Sequence, residues 1–277
     1  MSGIAELIAA GATADEALAR AAATASGAEL ELVLGDEARL LRHPAIVAAL
    51  FGNPQAPMAL VNRAVAVCAR AGVRVDGIPG FDDVAAGVRG EVEAGAAVPG
   101  GAFEEVMAAS VAAAADPDGH ADADADGKGG ADEGMSGPRK RKSAVIDFGK
   151  LKLFEKIRLA TLGNAFCRQT LVRDSNRMVA MAAIRSPGIT EQEVIRTAGN
   201  RAVSEDVIRY IANHKDYAKS YPIRMALLGN PKCPLALSLR FLPHLRAEDL
   251  KNLARSKNIP SALSVAARKL AATRGQP

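Results

Sequence analysis

An acidic string near the middle of the chain has the residue types and the spacing of a calcium-binding loop. Carboxylates stand at its first, third, fifth and twelfth positions and a glycine at its sixth; the residues are Asp122, Asp124, Asp126, Gly127 and Glu133. Oxygen ligands around a sharp turn are the pattern of an EF-hand. However, the eighth position is Gly129, and the flanks are rich in Asp, Gly and basic residues instead of helix-forming apolar ones. We therefore interpret the string as a solvated acidic segment and expect no metal site.

The histidines and cysteines form no pattern that indicates catalysis or metal binding. The histidines lack helical i, i+4 spacing to another His or Cys; they are His43, His120, His214 and His244. Cys167 and Cys233 occupy the same place in two similar segments, as small buried residues would, whereas a catalytic cysteine should be unique. GxSxG, Walker-type, GxGxxG and HExxH strings are absent from the sequence. We predict a protein without enzymatic activity and without a cofactor.

The sequence also predicts a cellular location. The three cysteines are odd in number and lack CxxC spacing, which favours a reducing compartment. Residues 1–10 contain no positive side chain, and Glu6 interrupts their apolar stretch, unlike a secretory signal. No segment approaches the roughly 20 apolar residues of a membrane-spanning helix. These features predict a cytoplasmic protein with no membrane span.

Positive charge is concentrated in the second half of the chain. Residues 1–115 carry a formal charge of −7, residues 116–138 carry −6 and residues 139–277 carry +17, which together give +4. The basic excess is more than solubility requires. Many of these cations are predicted near helix ends, where a stacked array would align them into one basic ridge; the alternative is a dispersed solvated shell. The candidate partner-binding residues are Arg158, Arg168, Arg173, Arg177, Arg201, Arg209, Lys251, Arg255 and Lys257.

Composition and periodicity predict an all-α fold in two parts. Only 4% of the residues are aromatic, and alanine runs are frequent, so helices with close Ala contacts are the natural outcome. Apolar residues recur at helical spacing from Lys150 onward, in short sets separated by a few turn residues. We predict a helical domain at residues 1–115, a disordered linker at 116–143 that is first acidic and then basic, and a helical-repeat domain at 144–277.

A helix-turn-helix junction recurs along the chain. The segments RLATLGNAFC at 158–167 and RMALLGNPKC at 224–233 agree at six of ten positions, and ALFGNPQAPMAL at 49–60 agrees with residues 226–237 at eight of twelve. A third Gly-Asn pair, Gly199-Asn200, falls between the first two copies. We predict that glycine adopts the left-handed conformation after the helix, that asparagine caps, and that proline takes the first helical position.

These junctions and the short amphipathic helices between them resemble HEAT and armadillo-like solenoids, chiefly over residues 150–272. The resemblance implies a curved array of helix pairs, a fold whose faces commonly bind protein or nucleic acid. It carries no active site to this chain.

Two binding hypotheses follow from the charge distribution. In the first, the basic helical-repeat domain docks an acidic protein surface as a scaffold, while the chain's own acidic N-terminal half competes for that docking. In the second, the same basic face binds a nucleic-acid duplex through its phosphates without reading sequence. The scarcity of aromatic residues argues against single strands, which need a stacking platform.

Overall fold

The computed structural model describes residues 3–93, 101–114, 148–256 and 258–274, and every regular element within these ranges is helical. The α-helices are α1 Ile4–Ala9, α2 Asp15–Ala22, α3 Gly27–Val33, α4 Glu37–Arg42, α5 Ala45–Gly52, α6 Met58–Arg70, α7 Phe81–Glu93, α8 Gly101–Ala114, α9 Leu153–Leu162, α10 Ala165–Leu171, α11 Arg177–Ile184, α12 Glu191–Gly199, α13 Glu205–Asn213, α14 Tyr221–Leu228, α15 Leu235–Phe241, α16 Ala247–Arg255 and α17 Ser261–Arg274. Short 3-10 turns lie at Gly11–Ala14, Phe148–Lys150, Tyr217–Lys219 and Leu242–His244. The all-α prediction is confirmed for these ranges. The predicted linker at 116–143 and the EF-hand-like string lie outside the described residues.

Consecutive helices of the second half alternate between two layers. Helices α9, α11 and α13 pack side by side in one layer, and α10, α12 and α14 pack side by side in the other. Consecutive helices also contact each other across several of the short turns, as α9 contacts α10 and α13 contacts α14. The sequence TEQE at 190–193 has the pattern of a capping box, and the structure confirms it at the start of α12, where Thr190 and Glu193 bond reciprocally to each other's backbone amides.

The first half packs directly against the second through α9. Both α5 and α8 contact α9. The rings of Phe51 on α5 and Phe154 on α9 stack with their centroids 5.7 Å apart. At Gly80, ahead of α7, an added Cβ would lie 2.1 Å from the methyl carbon of Met178 on α11. One continuous apolar core therefore extends across the described residues of both halves.

The Gly-Asn junctions hold successive helix pairs together, but their backbone differs from the prediction. The glycines at 163 and 229 have φ of −66° and −78°, so the predicted left-handed conformation is wrong there. Pro231 lies in a turn, and α15 is preceded instead by Pro234, so the predicted helical start at proline is also wrong. The chain leaves α9 in the extended region and α14 in the right-handed region, so neither junction needs a left-handed residue.

Asparagine supplies the connection at two of these junctions. The Asn230 side-chain amide donates to the carbonyls of Ala198 at 2.8 Å and Asn200 at 3.1 Å, at the end of α12. Asn53 does the same in the first half, since its amide donates to the carbonyls of Ala22 and Ala25 at 2.8 and 2.9 Å. Both asparagines are buried, and each links its own turn to the end of an earlier helix.

Candidate interaction surface

Arg158, a predicted partner-binding residue, lies inside the protein. Its side chain is 0% exposed. Its guanidinium donates to three backbone carbonyls of the first half, those of Phe51 at 3.1 Å and of Asn53 and Ala56 at 2.7 Å each. A fully buried cation that is bonded to its own chain is not accessible to a partner. The expectation for Arg158 is therefore corrected: it joins the two halves.

The surroundings of Arg158 suit a cation although no carboxylate bonds to it in the described residues. Its acceptors are carbonyls at the C-terminal end of α5 and in the following turn, where the helix dipole is negative. Its guanidinium also lies over the ring of Phe103, 4.8 Å from the centroid. Burial lowers the pKa of Arg158 to about 10, opposed by the nearby Glu104 carboxylate. The side chain remains charged at neutral pH.

Arg168, a second predicted binding residue, serves mainly an internal contact. It forms a two-pronged ion pair with the Glu193 carboxylate, with Nη2 at 2.9 and 3.1 Å from the two oxygens. Its Nη1 also donates to the carbonyl of Gly163 at 2.6 Å. The two side chains are 11% and 12% exposed, so the pair is largely desolvated and ties α10 to α12. Arg168 is therefore also removed from the expected surface.

Arg39 is a further structural arginine, and sequence reasoning did not single it out. It is 2% exposed and donates to the carbonyls of Leu7, Ile8 and Gly11 around the end of α1. It also bonds to the Asp15 carboxylate. Burial alone would raise the pKa of Asp15, but hydrogen bonds from Arg39 and Arg42 hold it below its usual value. The similar sets of acceptors show that Arg39 closes the C-terminus of α1 as Arg158 closes that of α5.

Four of the predicted residues share one edge of the two-layer array. We define the basic edge as the exposed side chains of Arg173, Arg177, Arg201 and Arg209. The amide of Asn230 places the α14–α15 turn against the α12–α13 turn. The ion pair of Arg177 with Asp206 places the start of α11 beside the start of α13. The α10–α11 turn with Arg173 and the α12–α13 turn with Arg201 therefore lie at the same edge, and Arg177 and Arg209 stand on the helices that follow these turns.

The ion pairs at the basic edge are exposed and replaceable. The Nε of Arg177 lies 3.0 Å from Asp206, and Nη2 of Arg209 lies 2.6 Å from Glu205. The two arginine side chains are 70% and 55% exposed. Such pairs contribute about 0–1 kcal/mol, because water and salt screen them. Partner carboxylates can therefore replace the internal ones at little cost.

The other three predicted partner-binding residues do not belong to the basic edge. Lys251 and Arg255 are exposed on α16, a helix that packs chiefly against α17. Lys257 lies outside the described residues. The structure thus groups four of the predicted residues, buries Arg158, largely buries Arg168, and leaves two on a separate helix.

An apolar pair that sequence reasoning missed adjoins the basic edge. Leu235 and Leu239 of α15 are 38% and 39% exposed. Lys232 lies in the turn before this helix, and its Nζ donates to the carbonyl of Val203 at 2.8 Å. This bond places the start of α15 beside the turn that contains Arg201. The i, i+4 spacing of the two leucines was a readable signal, but helical spacing alone does not distinguish an exposed pair from a core pair.

One cavity among the described residues is too small for an organic ligand. A cavity of about 60 Å³ lies between α6, α7 and α9, beside Met58, Asn62, Asp83, Lys152 and Phe154. Ligand pockets typically measure about 300–1,000 Å³, so this cavity has room only for a few water molecules.

The described residues contain neither a metal-binding cluster nor a membrane-spanning helix. No three His, Cys, Asp or Glu side chains lie close enough together there to hold a metal ion. None of the described helices has the length and apolarity needed to cross a bilayer.

Comparison with known proteins gives no relative for this fold. No model of a known protein family, no curated protein and no solved structure matches this chain.

Proposed function

We propose that this chain is a non-enzymatic scaffold protein whose basic edge docks an acidic surface of a protein partner. The observation that carries the proposal is that the α10–α11 and α12–α13 turns, with Arg173, Arg177 and Arg201 in or directly after them, lie at one edge of the array. Neighbouring helices of such an array lie about 8–10 Å apart, so the cations form a row that one extended acidic surface can meet. Arginine is also enriched at protein interfaces, where its planar fork binds carboxylates in pairs.

The proposal includes a HEAT-like architecture and no cofactor. Alternating layers of short helices, with Asn53 and Asn230 linking successive turns, support a helical-repeat fold. The three cysteines are buried free thiols, which supports a reducing compartment such as the cytoplasm.

We further propose that the acidic residues 116–138 compete with the partner for the basic edge. Because α5 and α8 pack against α9, the helices of the first half have fixed positions relative to the second half. The acidic segment can still compete with the partner for the basic edge, because it belongs to the same chain and therefore has a high effective concentration there. Deletion of residues 116–138 should therefore tighten partner binding.

Duplex nucleic acid is the second candidate ligand. Regularly spaced cations at one edge favour it, because phosphates also recur at regular intervals. The carboxylates of Glu205 and Asp206 stand among the same cations and would repel a duplex, whose phosphates have fixed positions, whereas a protein partner can carry its carboxylates only opposite the arginines. The protein partner is therefore the leading candidate.

Charge reversal with a matched control tests the docking proposal. The full-length chain is titrated against a fluorescently labelled poly-glutamate peptide, and binding is followed by anisotropy. We expect the double variant Arg173→Glu/Arg201→Glu to bind at least about tenfold more weakly. The control Lys251→Glu/Arg255→Glu makes the same change in net charge on α16 and should alter binding less than about threefold. Equal losses in the two variants would show that binding follows net charge, and would overturn the assignment to the basic edge.

A further inference from the structure

The exposed face of α15 combines apolar and basic side chains. Leu235 and Leu239 stand one helical turn apart and are 38% and 39% exposed. Lys232 precedes the pair and Arg240 follows it, and both are exposed. The opposite side of the helix is buried, with Phe241 only 3% exposed. The face therefore presents an apolar centre with a cation at each end.

Two hydrogen bonds fix this face beside α13. Lys232 Nζ donates to the carbonyl of Val203 at 2.8 Å, just before α13 begins. Arg240 Nη2 donates to the carbonyl of Ala212 at 3.0 Å, where α13 ends. Helix α15 therefore runs alongside α13, whose exposed Arg209 belongs to the basic edge. The apolar pair therefore lies on the helix beside the one that carries Arg209.

We propose that this surface docks an acidic amphipathic helix of the partner protein. The inference rests on the proposed docking function and adds the form of the partner segment. An amphipathic helix presents apolar side chains at i, i+3 and i+4, a spacing that matches Leu235 and Leu239. Carboxylates that flank this stripe on the partner helix then meet the cations at both ends of α15 and on α13.

The charges on this surface argue for an acidic partner over a second copy of the chain. In a symmetric dimer the same patch contacts itself, so Lys232 and Arg240 would be brought close to the same two cations of the other copy. A duplex is also disfavoured, because the leucines offer its phosphates neither a positive charge nor a hydrogen bond. An acidic helix satisfies both the apolar and the charged part.

Two labelled peptides of identical composition test the proposal on the full-length chain. In the first, Leu and Glu are arranged to form an apolar stripe on an acidic helix; in the second, the same residues are scrambled so that no stripe forms. We expect the striped peptide to bind at least about tenfold more tightly than the scrambled one, through burial of the two leucines. Equal affinity of the two peptides would overturn the inference.

Variants separate this inference from the docking proposal itself. Leu235→Ser/Leu239→Ser should weaken the striped peptide about tenfold while changing poly-glutamate binding less than about twofold. Leu32→Ser is the matched control, because Leu32 is an exposed leucine of α3, and it should change neither. Far-UV circular dichroism during heating checks that each variant is folded, and Leu235→Ala/Leu239→Ala replaces the double Ser variant if it is not. If poly-glutamate binds but the leucine variants have no effect, the inference fails and the docking proposal stands; if neither peptide nor poly-glutamate binds, both fail.

Discussion

The segments 158–167 and 224–233 agree at six of ten positions, yet their leading arginines have opposite surroundings. Arg158 is fully buried and bonds to carbonyls of residues more than 100 positions earlier in the chain. Arg224 is half-buried and stays local: its Nη2 donates to the carbonyl of Lys219 at 3.0 Å, and its guanidinium lies 5.6 Å from the centre of the Tyr221 ring. The same motif position therefore holds the fold together in one copy and belongs to the surface in the other.

The difference arises from what packs against each copy. The copy at 158–167 begins halfway along α9, which contacts α5 and α8 of the first half, and residues of the first half cover the arginine. At 224, the arginine shares Tyr221 with Arg246, whose guanidinium lies 5.0 Å from the ring centre. The repeat motif thus determines where its helix ends. The helices that pack against it determine whether its arginine is exposed.

The glycines of the two copies differ in the same way. A Cβ on Gly163 would lie 2.5 Å from the carbonyl oxygen of Leu159 and 2.8 Å from the Cβ of Cys167. A Cβ on Gly229 would approach no atom closer than 3.6 Å. The first glycine is needed for close packing, whereas the second is not.

The largest expected effect distinguishes the two arginines. Arg158→Ala should lower the free energy of unfolding by about 3–5 kcal/mol, because it removes the side-chain donor from three carbonyls, of which, among the described residues, only that of Asn53 keeps a backbone partner, the Ala56 amide. Arg224→Ala, the matched control, should lower it by less than about 1 kcal/mol. Urea unfolding of the full-length chain, followed by far-UV circular dichroism, measures both. Comparable losses for the two variants would show that the buried connection does not stabilise the fold.

A smaller decrease in the free energy of unfolding is expected when the asparagine that links two turns is replaced. Asn230→Ala removes the donor to two carbonyls at the end of α12 and should cost about 2–3 kcal/mol. Asn252→Ala on the exposed side of α16 is the control and should stay within about 0.5 kcal/mol of the original chain. The same urea experiment applies, and a loss in the control as large as that in Asn230→Ala would contradict the assignment.

The smallest effects should distinguish the two glycines, and with opposite signs. Gly163→Ala should destabilise the fold by about 1–3 kcal/mol through overpacking. Gly229→Ala should stabilise it by about 0.4–1 kcal/mol, because Gly229 already has a right-handed helical backbone that alanine adopts readily. Thermal unfolding measured by calorimetry should show a lower midpoint for the first variant and a higher one for the second. A lower midpoint for both would mean that the junctions are more alike than their packing indicates.

Local sequence signals predicted what depends on local structure. Alanine-rich composition and helical spacing predicted the fold class, and Thr190 with Glu193 predicted the start of α12. The junction string predicted the helix boundaries but not their backbone, since several conformations end a helix.

The roles of Arg158 and Arg168 were not predictable from the sequence alone. Arg158 is buried by residues more than 100 positions away, and the carboxylate that pairs with Arg168 lies 25 positions along the chain. A count of charges carries no information about such contacts. The sequence predicted a basic ridge but not which residues form it, because that depends on which turns lie next to one another in the fold.

The central claim is that the exposed basic edge docks an acidic protein, and a direct comparison of ligands tests it. The full-length chain is titrated with labelled poly-glutamate and, in parallel, with a labelled DNA duplex across a salt series. We expect poly-glutamate to bind more tightly than the duplex at every salt concentration. Its flexible chain can place its carboxylates against the arginines alone, whereas the phosphates of a duplex have fixed positions and cannot avoid Glu205 and Asp206. Tighter binding of the duplex, with affinity falling steeply as salt rises, would contradict the account and identify a nucleic-acid-binding protein.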